Sequence, residues 1–173
     1  KSINERDFVA GIFVWTGFAY LGEAGPWPRK GLNISFFDYA GFKTPRGHFF
    51  ECLWIEKPKV YMVTTPVEES EYSFANNTWN FEMQLTPAPV WNMLRKWEWY
   101  KVYPKWKYNK DENIVVQTYT NCEEAELFLN GTSLGKQKLS DYTETDNIIK
   151  WLVPYNEGEL KVVGYNKGEK VDE

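Results

Sequence analysis

The sequence contains few of the residue types that most often form catalytic or metal-binding sites. The sequence has one histidine, His48, and two cysteines, Cys52 and Cys122. A structural zinc site needs about four nitrogen or sulfur ligands, so these three residues indicate no metal site. A Ser-His-Asp mechanism would have to use His48, and the sequence contains no G-x-S-x-G motif. The cysteine spacing is not that of a disulfide framework, and we expect two buried free thiols.

Aromatic side chains are the better candidates for chemistry, because they make up 18% of the 173 residues and include nine tryptophans. A flat indole suits the apolar C–H face of a sugar, and its N–H can still donate a hydrogen bond. Trp15 is the first candidate, and its alternative role is that of a core tryptophan. Residues 91–108 hold a second group, including Trp97 and Trp99. Packing between structural units would use that group as readily as sugar binding.

Charge and hydropathy exclude several other functions. The net charge is −4, which gives no electrostatic case for nucleic acid or an anionic membrane as a partner. No apolar run approaches the roughly 20 residues of a membrane-spanning helix. Nothing indicates a cofactor. The sequence opens with neither an initiator methionine nor a signal peptide, so we interpret it as part of something longer whose localisation is open.

The elements around Trp15 read as a strand, a loop and a helix. Residues 7–15 form a continuous apolar run, typical of a strand buried on both faces in a parallel sheet. Glycine and proline punctuate residues 16–28, which predicts a loop. Apolar residues recur on one helical face over residues 45–56, and Pro45 suits a first helical turn. No further strand-helix unit follows, so we expect the partners of the strand to lie upstream.

The sequence changes character from residue 59 onward. Short strand-like runs alternate with turn signals, a pattern typical of an immunoglobulin-like sandwich. Asn130-Gly131 is the strongest hairpin signal. We therefore predict two units, residues 1–57 and 58–173, with an insertion near 62–94. The predicted strands are residues 59–64, 80–85, 113–119, 125–129, 133–138, 148–153 and 159–165.

Five segments carry a family resemblance. Residues 11–23 and 35–43 look like the last barrel strand, the loop after it and the segment before the last barrel helix of glycoside hydrolase family 2. Residues 120–135, 153–155 and 158–161 resemble the sandwich that follows the barrel in many bacterial β-galactosidases. The resemblance implies a mainly β fold, in which an immunoglobulin-like antiparallel β-sandwich is preceded by the last strand-loop-helix unit of a (β/α)8 barrel.

The resemblance also implies a function, that of the C-terminal part of a retaining glycoside hydrolase of the β-galactosidase or β-glucuronidase kind. Retaining enzymes use two carboxyl groups about 5–5.5 Å apart. The resemblance places both on earlier barrel strands, so no catalytic residue is assigned here and the chain alone is expected to be inactive. It implies that Trp15 contacts the substrate, with Tyr20 and Glu23 as further candidates. Ala19 departs from the family, in which aspartate is frequent.

The expected partners are an oligosaccharide or β-glycoside substrate and the remainder of the same barrel. A periplasmic or extracellular location would suit a bacterial enzyme that degrades polysaccharide. The alternative function is a non-catalytic carbohydrate-binding or adhesion module. The doubly apolar run at residues 7–15 favours the enzyme, because a free-standing module has no use for a strand that must be covered on both faces.

Overall fold

The computed structural model describes residues 8, 10–11, 13–21, 34–82 and 99–173. One α-helix and nine strands form in these ranges, and no helix among them is long and apolar enough to span a membrane. The elements in chain order are α1 (Pro45–Trp54), β1 (Val60–Pro66), β2 (Tyr72–Ala75), β3 (Thr78–Phe81), β4 (Asn113–Thr120), β5 (Glu124–Leu129), β6 (Thr132–Lys138), β7 (Ile148–Pro154), β8 (Leu160–Asn166) and β9 (Glu169–Asp172).

The strands form three antiparallel sheets. The orders are β1-β4-β7, β6-β5-β8-β9 and the separate hairpin β2-β3. Val116 and Trp151 from the first sheet share one buried cluster with Leu127 and Val162 from the second. Because one apolar cluster is filled from both sheets, they form the two layers of a sandwich. The predicted mainly β antiparallel sandwich is therefore confirmed.

The central strand β4 is buried on both of its faces. Ile114 and Val116 point into the sandwich core, whereas Tyr119 belongs to a second cluster with Val63 and Cys52. Helix α1 supplies Cys52, so the helix covers the outer face of the three-stranded sheet. Burial on both faces explains why β4 reads as an almost continuous run of apolar and β-branched residues.

Helix α1 begins where the sequence predicts. The Thr44 hydroxyl caps it by accepting a hydrogen bond from the Gly47 amide at 3.2 Å, and Pro45 occupies the first turn. The helix ends at Trp54, two residues before the predicted end at residue 56. Ile55 is extended and closes the helix through its amide to the Glu51 carbonyl.

The hairpin between β5 and β6 turns at Asn130-Gly131, as predicted. Their φ angles of 51° and 77° match the turn that favours this residue pair. The Asn130 side chain is fixed at both ends: its amide nitrogen donates to the Glu157 carbonyl, and its oxygen accepts from the Glu159 amide, each at 2.9 Å. The turn is thereby tied to the loop that precedes β8.

Two strand predictions differ from the structure. The strand predicted over residues 7–15 does not form in the described part of that range, where Phe8 and Phe13 are exposed. A parallel strand needs neighbouring strands for its hydrogen bonds, and the described residues provide none there. The strand predicted at residues 80–85 is instead β3, which ends at Phe81 and pairs with β2; residues 83–85 lie outside the described ranges.

The domain division stays a prediction. Residues 62–66, which the predicted insertion included, belong to β1 and pair with β4 in the sandwich. Strand β9 was not predicted, and it pairs with β8 at the edge of the four-stranded sheet.

Candidate functional site

An exposed aromatic group lies on the loop segment that precedes α1. We define it as the Trp15 group: Trp15, Tyr20 and Tyr39. The Trp15 indole N–H donates to the Tyr20 hydroxyl at 3.3 Å, and the two rings meet edge to face with centroids 6.1 Å apart. The Tyr39 hydroxyl donates to the Tyr20 carbonyl at 3.3 Å. Trp15 keeps 65% of its surface exposed in this chain.

Backbone pairing between two short segments positions this group. The Phe37 amide donates to the Gly17 carbonyl at 2.8 Å, and the Ala19 amide donates back to the Phe37 carbonyl at 2.8 Å. The Phe18 and Phe37 rings stack with centroids 5.0 Å apart. The segment that carries Trp15 and Tyr20 is therefore fixed to the segment that carries Tyr39.

A tight turn then connects the Trp15 group to the helix. Asp38 Oδ1 accepts hydrogen bonds from the amides of Ala40 and Phe42, each at 2.9 Å. The Thr44 amide donates to the Phe36 carbonyl at 2.8 Å, which places the N-terminus of α1 beside the paired segments. The Asp38 carboxylate therefore stabilises this turn through its Oδ1 atom.

The three sequence-predicted site residues have different outcomes. The structure brings Trp15 and Tyr20 into contact, whereas Glu23 lies outside the described residues. Their contact with a substrate stays a prediction. Within the ranges that the structure describes, no cluster of His, Cys, Asp and Glu could hold a metal ion.

A charged network joins α1 to the sandwich. Glu51 Oε1 lies 2.6 Å from Lys43 Nζ, and Glu51 Oε2 lies 3.3 Å from Lys59 Nζ. Burial alone would raise the Glu51 pKa, but the hydrogen bonds from the two lysines lower it below its ordinary value. His48 stacks on Tyr61 with ring centroids 3.6 Å apart. Burial, followed by the charges of Lys59 and Lys43, lowers the pKa of His48, and Glu51 opposes this.

Both cysteines are free and buried, as expected. Burial raises the pKa of the Cys52 thiol to about 12 and also raises that of Cys122. A thiol with a raised pKa is a poor nucleophile at neutral pH, so the packing of these residues assigns them a structural role.

The second aromatic group is used in packing where the structure describes it. Trp99 lies 5.2 Å from Phe49 of α1 and 6.2 Å from Tyr119 of β4, measured between ring centroids, and its indole N–H donates to the Tyr119 hydroxyl at 3.2 Å. The packing interpretation is confirmed for Trp99. Trp91 and Trp97 lie outside the described residues.

Two further features escaped the sequence prediction. One is the aromatic β2-β3 hairpin. The alternation of Tyr72 and Phe74 before Asn76-Asn77 was a signal that could have revealed it. The other is a buried ion pair: Lys150, only 2% exposed, has its Nζ 2.9 and 2.8 Å from the two carboxylate oxygens of Asp146. No local sequence pattern predicts that a lysine in a strand is buried.

Comparison with known proteins assigns the chain to a family. A model of a domain of unknown function, DUF4982, matches residues 111–172. A presumed β-glucuronidase of Formosa agariphila is 35% identical over 98% of this chain, and the β-galactosidase BoGH2A of Bacteroides ovatus is 25% identical over all of it. The chain spans only 13% and 16% of the length of these two relatives.

Solved structures agree with the sequence relatives. A glycosyl hydrolase family 2 member of Bacteroides cellulosilyticus is 31% identical with a TM-score of 0.75, covering 98% of this chain and 21% of that protein. A second member from this species is 32% identical with a TM-score of 0.65, covering 92% and 18%. The chain belongs to glycoside hydrolase family 2 and corresponds to a segment of such enzymes. The resemblance seen in the sequence is confirmed.

Proposed function

We propose that this chain is the part of a retaining β-glycosidase that supplies a sugar-binding aromatic surface, while the catalytic carboxylate pair is supplied by other parts of the enzyme. The observation that carries the proposal is the Trp15 group. Trp15 is 65% exposed in this chain, and its indole is held by a hydrogen bond to Tyr20. The negative face of an aromatic ring attracts the weakly positive C–H groups of a pyranose, and the fixed ring loses little freedom when it binds.

Three of the described carboxylates are held by other partners and are poorly suited to act as a catalytic acid. Glu51 is bound to two lysines and Asp146 to Lys150. Glu126 accepts hydrogen bonds from the Ser133 and Tyr165 hydroxyls at 2.6 and 3.0 Å. A catalytic acid needs a raised pKa, whereas the hydrogen bond from Ser133 lowers the pKa of Glu126.

Two measurements test the proposal. The purified chain should show no turnover of aryl β-galactosides or β-glucuronides above a mock preparation, because the proposal assigns it no carboxylate pair. Clear turnover would show that the catalytic residues had been assigned wrongly. In the whole enzyme, Trp15→Ala should lower kcat/KM roughly 2- to 12-fold, the loss expected when a stacking contact worth about 0.5–1.5 kcal/mol is removed.

Trp99→Ala is the matched control, because it also removes an indole. Trp99 packs between α1 and β4, so this variant should lower the melting temperature. If Trp15→Ala keeps the wild-type kcat/KM while Trp99→Ala loses it at an unchanged melting temperature, the sugar site lies in the sandwich. That result would favour the alternative function, a non-catalytic carbohydrate-binding module.

A further inference from the structure

The β2-β3 hairpin carries four aromatic side chains on one face. Tyr72 lies opposite Phe81, and Phe74 lies opposite Trp79. Tyr72 and Phe74 are two residues apart, so they share a face, and their cross-strand partners share it with them. The ring centroids are 5.2 Å apart in the first pair and 4.9 Å apart in the second.

The hairpin is anchored through Tyr72, whereas Phe81 at its base stays 44% exposed and Trp79 near its tip is half-buried. Tyr72 is buried, with Lys150 Nζ 4.4 Å from the centre of its ring, and Tyr100 packs on both Tyr72 and Phe81. Phe74, nearer the turn, is 41% exposed. A two-stranded hairpin is marginal on its own, so the anchored base is what presents the second aromatic pair in a fixed geometry. Such preorganisation reduces the entropy lost on binding.

The charge distribution specifies what kind of ligand fits. Residues 72–81 contain no Asp, Glu, Lys, Arg or His, although charged residues make up 25% of the chain. The remaining side chains at the tip are neutral hydrogen-bonding groups, among them Asn76, Asn77 and Thr78, all exposed. Acidic residues flank the hairpin on both sides, among them Glu68, Glu71 and Glu82. Glu69 is paired with Lys101, whose Nζ lies 2.8 Å from its carboxylate. A neutral aromatic and amide surface with an acidic border complements an uncharged ligand and repels a polyanion.

We propose that the tip of this hairpin binds an uncharged polysaccharide chain, with the Phe74 and Trp79 rings contacting its sugar faces and the turn amides and hydroxyl contacting its hydroxyl groups. The choice of a sugar rests on the proposed function. The residues involved are different from the Trp15 group, so the hairpin is a second contact for a long glycan. Two linked contacts hold a polymer more tightly than either alone.

Affinity electrophoresis of the whole enzyme tests the proposal, in native gels that contain galactomannan, hydroxyethylcellulose or polygalacturonate. We expect retardation by at least one of the two neutral polymers and none by polygalacturonate. Phe74→Ala should weaken the association constant for the neutral polymer roughly 2- to 12-fold, the range expected for one aromatic stacking contact. Phe74→Tyr should keep the wild-type value.

Leu134→Ala is the matched control, because Leu134 is an exposed apolar residue of similar exposure, 38%, on strand β6. It should retain full retardation. The proposal is overturned if neither neutral polymer retards the enzyme, if Phe74→Ala migrates like the wild type, or if polygalacturonate alone causes retardation. It is also overturned if Phe74→Ala converts a dimer to a monomer while neutral polymers cause no retardation, since the hairpin would then contact a second copy.

Turnover of a small aryl glycoside separates this proposal from the proposed function. A substrate with one sugar ring can occupy only one contact at a time, and turnover requires that ring in the active site, so Phe74→Ala should retain wild-type turnover. If Trp15→Ala does not change turnover, the Trp15 group is not a substrate contact. Affinity electrophoresis would still show whether the hairpin binds polysaccharide.

Discussion

The buried ion pair between Lys150 and Asp146 gives the most quantitative prediction, because replacing one partner should cost much more stability than replacing the other. Lys150 is 2% exposed, and its other nearby acceptor is the Ile148 carbonyl at 2.8 Å. Asp146→Ala would leave the ammonium group buried without its counter-ion, which costs about 3–5 kcal/mol. At about 2–4 °C per kcal/mol for a chain of this size, the melting temperature should fall by roughly 6–20 °C. Thermal and urea unfolding, followed by tryptophan fluorescence at pH 7, would measure both quantities.

Lys150→Met should be much milder, although it breaks the same ion pair. The Asp146 side chain is 19% exposed and still accepts a hydrogen bond from the Ile148 amide at 2.9 Å. Methionine fills the space of the lysine stem, so the free energy of unfolding should stay within about 1 kcal/mol of the wild type. Equal losses in Lys150→Met and Asp146→Ala would refute the reasoning that an uncompensated buried charge dominates.

The pH dependence provides a second check on the same pair. Burial lowers the pKa of Lys150, and Asp146 opposes this. Without Asp146 the folded-state pKa should fall further below its unfolded value of about 10.4. A base with a lowered folded-state pKa destabilises the fold while it is charged, so Asp146→Ala should regain stability as the pH rises through that pKa toward 10. Lys161→Met, which breaks the exposed pair with Glu173 at 3.2 Å, should cost less than about 1 kcal/mol at any pH.

Three further predictions concern the packing of α1 and the sandwich. Gly164→Ala should lower the free energy of unfolding in urea by about 1–3 kcal/mol, because the added methyl group would lie 2.7 Å from Cys122 Sγ. The control Gly17→Ala has open space around the added methyl group and should change stability little. Between pH 7 and 5 the wild type should lose more stability than His48→Gln. The pKa of His48 is lower in the folded state, so its contribution to stability is present above about pH 6.5 and is lost as the pH falls through the folded-state pKa; parallel curves of stability against pH for the two proteins would contradict this prediction. Native protein at pH 8 should leave Cys52 and Cys122 unlabelled by a thiol reagent within minutes, and both should react in guanidinium; rapid stoichiometric labelling without denaturant would contradict their burial.

The sandwich could be predicted from the sequence because its signals are local. Strand β5 alternates between the core residues Ala125 and Leu127 and more exposed neighbours, and Asn130-Gly131 ends it with its preferred turn. The strand predicted at residues 7–15 depended on neighbours that the described residues do not contain. An apolar run specifies that a segment should be buried, but it does not specify what covers it.

The candidate site could be predicted only in part. Trp15 and Tyr20 are close in the chain, so their contact follows from a compact loop. The role of Trp99 depends on contacts with Phe49 and Tyr119, about 50 and 20 positions away, and no local pattern encodes them. Asp146 and Lys150 are only four positions apart, but the burial of Lys150 against the Tyr72 and Tyr142 rings is a tertiary property.

The two hydrogen bonds that fix the Asn130 side chain have a consequence for the chemical ageing of the protein. An asparagine followed by glycine deamidates when the glycine nitrogen attacks the side-chain carbonyl carbon and closes a cyclic imide. Here the Asn130 oxygen accepts from Glu159 and its nitrogen donates to Glu157, so the side chain cannot swing toward Gly131 while the hairpin is folded. The folded chain thus protects its most labile peptide sequence. Deamidation at Asn130 would accumulate only while the hairpin is open, and its extent in a stored sample would record how long the molecules had spent unfolded.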